Sequence, residues 1–171
     1  MTVRIREATP ADALAIAGVH VRGWQHGYRG MLTDEYLDGL KPEDRLENTR
    51  YILEHPPAEW RTWVAVDGGR VVAFASTGRS EDVDAEARTA EVYAIYLEPE
   101  VMGTGVARSL FAHAVDDLRV RGFGTATLWV LETNERARRF YEVAGWKLDG
   151  ATTSERVDCE MRPTVRYRIE L

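Results

Sequence analysis

The chain is 171 residues long, 44% apolar and 29% charged, and carries a net charge of −6. A chain of this length buries roughly 70% of the surface its unfolded form exposes, enough for one domain with its own core, and the composition is neither disordered nor collagen-like. The acidic balance argues against a nucleic-acid partner, which selects a basic face, and suits a cationic or amine-bearing ligand.

No apolar run approaches the roughly 18 residues of a membrane span. The single cysteine, Cys159, excludes an internal disulfide, and no Cys/His cluster points to a metal. The N-terminal MTVRIREATP is charged and lacks the apolar centre of a signal peptide, so a cytoplasmic protein with no membrane association is expected.

In chain order, Val3 to Glu7 alternates apolar and charged residues as a half-buried strand does. Thr9-Pro10 then opens a helix, with Leu14, Ala17, Val21 and Trp24 at helical spacing, until Gly27, Gly30 and Thr33-Asp34 interrupt it. A second helix is expected over about Pro42 to Glu54. Thr62–Asp67 and Arg70–Gly78 read as a hairpin turning on Gly68-Gly69. A charged loop, Ser80 to Ala87, leads to the strand Thr89–Leu97. The helix Gly105–Arg121 places Val106, Leu110, Ala114 and Leu118 on one face. Thr125–Leu131 is a short apolar strand, and Asn134–Ala144 a helix with Gly145 just beyond its end. Trp146–Leu148 and Val165–Leu171 read as closing strands, with Ser154–Glu160 as a polar loop holding Cys159. The order β-α-α-β-β-β-α-β-α-β-β, with a sheet made largely of hairpins, predicts an α+β fold.

Two segments carry the chemistry. In Gly103-Thr104-Gly105-Val106-Ala107 a strand hands over to a helix. A helix start offers unpaired N–H groups and the positive end of the macrodipole, and glycines let a phosphate approach bare backbone. The same residues also suit an ordinary tight turn. A P-loop would need Gly-Lys-Ser/Thr here, and a dinucleotide fingerprint a third Gly or Ala where Arg108 stands. The second segment, Asn134 to Trp146, combines a helix cap, a helix and a C-terminal glycine. Ala137, Phe140, Tyr141 and Ala144 share one face, while Arg136 and Arg138 read as solvated.

The pair Leu97-x-Pro99 … Gly-x-Gly-x-Ala and Asn-x-x-Ala-x-x-Phe-Tyr-x-x-x-Gly-Trp resembles the GNAT superfamily of acyl-coenzyme A-dependent N-acetyltransferases over residues 3 to 171. The resemblance implies a single domain over residues 1–171. Its sheet is mixed and mainly antiparallel, flanked by helices and splayed between the fourth and fifth strands. It implies acetyl-CoA as co-substrate and a small-molecule or peptide amine as acceptor. Look-alikes commonly dimerise, so a homodimer stays open. Met102 departs from the family pattern, which places Gln or Arg there, and this predicts weaker coenzyme binding.

By the same resemblance the coenzyme lies against Ile95, Tyr96 and Leu97 of the central strand, the turn Met102, Gly103, Thr104, Gly105, Val106, Ala107 and Arg108, and Asn134, Ala137 and Tyr141. Tyr141 is the candidate acid for the departing thiolate, with Arg138 or Arg139 as aids; alternatively it only positions the sulfur. Glu91, expected on one strand face with Tyr93 and Ile95, is the candidate base, working through water; alternatively it is a strand-end carboxylate paired to an arginine. Trp24, Tyr28 and Tyr93 are the candidate acceptor-binding residues, and His26 is a weaker candidate base. The competing reading is a non-catalytic acyl-CoA-binding sensor or interaction module.

Overall fold

The computed structural model describes residues 2–171. Seven strands form one sheet in the order β1-β2-β3-β4-β5-β7-β6. They are β1 (Val3–Glu7), β2 (Arg61–Asp67), β3 (Arg70–Arg79), β4 (Thr89–Leu97), β5 (Thr125–Leu131), β6 (Lys147–Val157) and β7 (Glu160–Glu170). Every neighbouring pair is antiparallel except β4 and β5, which run parallel. Five helices flank the sheet: α1 (Ala13–Gly27), α2 (Asp34–Gly39), α3 (Glu43–Glu54), α4 (Val106–Val120) and α5 (Glu135–Val143). The expected α+β architecture is therefore present.

The two faces bury different sets. On one, Val106, Leu110 and Ala114 of α4 pack on Ala73 and Ala75 of β3, and Phe111 and Leu118 join Ala90, Val92, Leu128 and Val130. The anticipated α4 stripe is thus the buried one. On the other face, Ile16 and Val19 of α1 cover Val64 and Phe74. A Cβ on Gly23 of α1 would lie 3.3 Å from the Leu97 carbonyl oxygen and from Cβ of Tyr96, so the missing side chain lets α1 ride close over the end of β4.

Three local expectations need correction. Leu14 is exposed, and Ala13 and Ile16 take the core positions with Ala17 and Val21. A 3₁₀ turn, Pro10–Asp12, precedes α1, so Leu14 falls in the first turn of the helix, at the rim of a stripe whose later members, Ala17 and Val21, are buried. Asp12 secures that turn, accepting from the Thr9 N–H at 2.7 Å and pairing with Arg6 at 2.8 Å. The break at Thr33-Asp34 is also a start: Thr33 Oγ1 accepts from the Tyr36 N–H, and the short helix α2 buries Leu37 completely.

The third correction concerns the C-terminal strands. They form one long hairpin turning at Asp158-Cys159, where a polar loop was expected. Nearly all of β6 is exposed at the sheet edge, so it lacks the apolar alternation that reveals a strand.

The irregularities that shape the site lie on β4. Ser76 opposes Ala94 while Thr77 opposes Val92, so Tyr93 is an extra, unmatched residue: a β-bulge. Further, β4 pairs with β5 only at Thr89–Thr125, Ala90–Ala126 and Glu91–Thr127. Beyond Glu91 the two strands diverge, which is the predicted splay.

Candidate active site

One cavity of about 1310 Å³ runs through this splay and joins the two faces of the sheet. At one end lies the turn Met102–Arg108 with the facing sides of α4 and α5. At the other lie Trp24 and Tyr28 from the end of α1, Glu91 and Tyr93 from β4, and Glu155 and Val157 from β6.

The turn is built from local rules. Gly103 and Gly105 sit at φ +79° and +92°, a region that L side chains rarely adopt, and open space surrounds the place each Cβ would take. Thr104 folds back onto the turn: its hydroxyl donates to the Val101 carbonyl at 2.6 Å and its N–H to the same oxygen at 3.3 Å. Ser109 donates the first helical bond, to Gly105. The N–H groups of Gly103, Gly105, Val106, Ala107 and Arg108 meet no protein acceptor among the described residues. Five of the six amides from Gly103 to Arg108 are therefore available at the positive end of α4. Thr104, anticipated among the donors, is spent internally.

The strand leading to that turn also offers free backbone. The Glu98 N–H donates to the Val72 carbonyl at 2.8 Å, so the pair Ala73–Leu97 is a non-hydrogen-bonded one. By alternation the N–H and C=O groups of Leu97 and Ile95 point away from β3, into the splay, while the Tyr96 N–H points to β3. An ion pair with one buried partner anchors the strand end: Glu98, 2% exposed, accepts from the half-exposed Arg22 of α1 at 2.6 and 2.9 Å.

Across the cavity stands α5. Asn134 caps it by accepting from the Ala137 N–H at 3.1 Å, which leaves the amide NH₂ of Asn134 for the cavity that it lines. Ala137 lines the same wall. Tyr141 is buried against Phe111 and Phe140 and reaches the cavity. Burial, reinforced by the nearby Tyr96 phenol, pushes its pKa upward, so it holds its proton at neutral pH. Arg138 does not support it: its guanidinium donates to the Tyr167 hydroxyl and the Glu132 carbonyl, a correction to the solvated reading. Arg139 lines the cavity.

The bulge decides what faces the acceptor end. Ala90 and Val92 belong to the α4-side core, so Glu91 points to the other face. Tyr93 shares that face, its ring stacked on Trp60 at 4.8 Å beside Gly78. The extra residue then turns Ala94 and Tyr96 the same way, toward α1, and Ile95 and Leu97 toward α4. Glu91 and Tyr93 therefore share a face as expected, but Ile95 does not join them. The Tyr93 hydroxyl donates to the Arg79 carbonyl at 2.6 Å.

Glu91 is 8% exposed, and its side-chain partner is the Ser80 hydroxyl at 3.4 Å. The arginine pairing foreseen as the alternative is not made among the described residues. Burial, and then the charge of Asp82, raise its pKa to about 7. Asp82 is held there by Arg166, which also grips Asp84 and Asp149 at 2.7 Å each, so the charged loop after β3 is pinned beside Glu91.

Aromatic rings roof the acceptor end. Trp24 and Tyr28 lie 4.7 Å apart, and Tyr96 stacks on His20 at 4.6 Å. The reading of the sequence overlooked His20, although it stands one helical turn before Trp24. Burial and the charge of Arg45 lower its pKa to about 3, so it is neutral. His26 is exposed and lies outside the cavity. Glu155 and Val157 were also overlooked, because only the long hairpin brings them over the sheet. Val157 packs with Leu32 and Leu37, and the Thr33 N–H donates to Asp158, which ties the hairpin tip to the α1–α2 segment.

The Acetyltransferase (GNAT) family profile matches residues 25–146. An uncharacterized N-acetyltransferase of Bacillus subtilis is 33% identical over 141 residues, 77% of this chain and 73% of its own length. A probable N-acetyltransferase of Mycobacterium tuberculosis is 27% identical over 173 aligned positions, 98% of this chain and 93% of its own. The fold is that of the PaiA N-acetyltransferase of Thermoplasma acidophilum, solved in complex with coenzyme A: TM-score 0.74, 19% identity, both chains covered in full. With its glycine turn, its capped α5 and the splay between them, the chain belongs to the GNAT family of acetyltransferases.

Proposed function

We propose that residues 1–171 act as one domain that moves an acetyl group from acetyl-CoA directly to a primary amine. The observation that carries this is the cavity itself, which connects a set of free helix-start amides to a buried carboxylate through the gap between β4 and β5. The amides of Gly103 and of Gly105 to Arg108 hold the pyrophosphate, helped by the α4 dipole. Arg108, Arg136 and Arg139, also lining that end, supply charge for the coenzyme's phosphates. The pantetheine arm pairs with the outward backbone of Ile95 and Leu97 as an added strand, and Asn134 contacts it from α5.

The amine gives a proton to Glu91, directly or through water; a carboxylate with a pKa near 7 is matched to that exchange at neutral pH. The neutral nitrogen attacks the thioester carbon, and the Leu97 N–H donates to the oxygen of the tetrahedral intermediate. The C–S bond then breaks; Tyr141 protonates the thiolate, and the second proton that the attacking nitrogen gives up on becoming the amide nitrogen returns to Tyr141 through water. Tyr141 has no cationic neighbour from Arg138 to favour its phenolate, so positioning of the sulfur stays a second role for it.

The test is calorimetric titration with acetyl-CoA, followed by thiol release measured with and without a panel of amines. The expected result is binding together with amine-dependent release of coenzyme A. Binding without amine-dependent turnover would favour a sensor, and no binding would reject the site.

A further inference from the structure

The charges lining the cavity are segregated. Toward α4 and α5 they are Arg108, Arg119, Arg136 and Arg139, with Asp116, whose carboxylate pairs with Arg119. Toward α1 and the hairpin they are two glutamates, Glu91 and Glu155, and no lysine or arginine among the described residues lines that end. Arg45 stands beside it. Its guanidinium lies over the Trp24 ring, 5.1 Å from the centroid, and it does not line the cavity.

Neither glutamate side chain makes an ion pair among the described residues: Glu91 accepts from the Ser80 hydroxyl, and Arg162, which stands opposite Glu155 across the β6–β7 pair, is bonded to Glu160 and to the Met31 carbonyl instead. Glu155 lines the same cavity as Tyr28 and Tyr96. The wall between the two carboxylates is aromatic: Trp24, Tyr28 and Tyr96. The buried Trp24 Nε1–H meets no acceptor among the described residues. Aromatic faces and unpaired carboxylates suit an alkyl chain that carries cations. They set like charge against a carboxylate on the acceptor, for which the neutral Trp24 Nε1–H is a donor but no counter-ion.

Building on the function proposed above, we infer that the acceptor is a dicationic alkyl amine, its reacting nitrogen at Glu91 and a second ammonium at Glu155, and that acceptors bearing a carboxylate are rejected. Glu91 is the group that takes the proton. Glu155 is a specificity residue that touches only the remote cation.

The experiment measures kcat/KM with acetyl-CoA for the diamines from 1,3-diaminopropane to 1,6-diaminohexane, for butylamine, and for 4-aminobutanoate. One diamine is expected to exceed butylamine at least tenfold and 4-aminobutanoate at least 100-fold. Glu155→Gln should lower the diamine-to-butylamine ratio at least tenfold, and Glu155→Lys should raise the relative rate with 4-aminobutanoate. Both substitutions lie on an exposed strand, and calorimetry with acetyl-CoA reports whether each variant keeps its coenzyme site. Equal rates for the three classes, a preference for 4-aminobutanoate, an unchanged ratio in Glu155→Gln, or no transfer to any diamine would each overturn the inference. Transfer to butylamine or 4-aminobutanoate in those cases leaves the acetyltransferase reading standing. Failure of the wild-type protein to bind acetyl-CoA removes both.

Discussion

The turn Met102–Arg108 and the chamber beneath Trp24 are two ends of one cavity, yet they are made of different material. The turn presents five free backbone amides within six consecutive residues, held by two positive-φ glycines and by Thr104 bonding to Val101. The chamber presents side chains from α1, β4 and β6, segments far apart in the chain. Backbone donors recognise phosphate whatever side chains surround them, so one short motif can serve any coenzyme-dependent transfer. Side-chain walls are set one residue at a time, so acceptor choice can change while the coenzyme half is kept.

That contrast can be broken most severely at Gly105. Gly105→Glu combines a Cβ at φ +92° with negative charge where phosphate must sit. Acetyl-CoA affinity should fall at least 100-fold, about 2.7 kcal/mol, in a titration calorimeter. An unchanged affinity in a folded variant would mean that the amides are not the cradle.

On the acceptor side, Glu91→Gln should reduce turnover about 100-fold, within the range for loss of a general base, with acetyl-CoA binding retained. In the wild type, kcat/KM should rise with pH through about 7 as Glu91 ionises and then level off; the variant should lack that step. A wild-type profile without the step would transfer the role of base to water.

Tyr141→Phe tests the boundary between the halves. Turnover should drop at least tenfold, about 1.4 kcal/mol of barrier, with binding nearly kept. Equal turnover would leave Tyr141 as a spacer beside the sulfur.

Stability offers a smaller effect. Glu91 has a raised pKa in the folded protein, so between about 4.5 and 7 the native state binds more protons than the unfolded one, and stability declines as pH rises through that window. Glu91→Gln should therefore raise Tm by a few degrees at pH 8.5 and leave it nearly unchanged at pH 4.5. A gain of the same size at both pH values would point to packing.

The smallest change expected is at Met102, which lines the coenzyme end. Met102→Gln restores a polar side chain there, and acetyl-CoA should bind about threefold tighter, roughly 0.7 kcal/mol. No gain would show that the backbone amides suffice.

The sequence alone determined the features governed by local rules. The α4 stripe, the glycine turn, the Asn134 cap and the strand Thr89–Leu97 follow from periodicity, φ preference and capping within about a dozen residues, and the structure contains each of them. The family motifs lie in the same stretches. Only the tertiary structure decided the rest. Leu14 stays exposed in the first turn of α1 although its spacing matches the buried Ala17 and Val21, and β6 is a strand because β7 pairs with it, since its own side chains stay in solvent. The bulge at Tyr93 has no composition of its own; it arises from the register between β3 and β4, and it turns Tyr96 toward α1 while Glu91 already faces that way. Arg166, by gathering Asp82, Asp84 and Asp149, sets the field around Glu91 from residues scattered along the chain. A backbone site can be written in contiguous residues, because its donors are the chain itself. A side-chain site depends on contacts between distant segments, and those exist only once the sheet has formed.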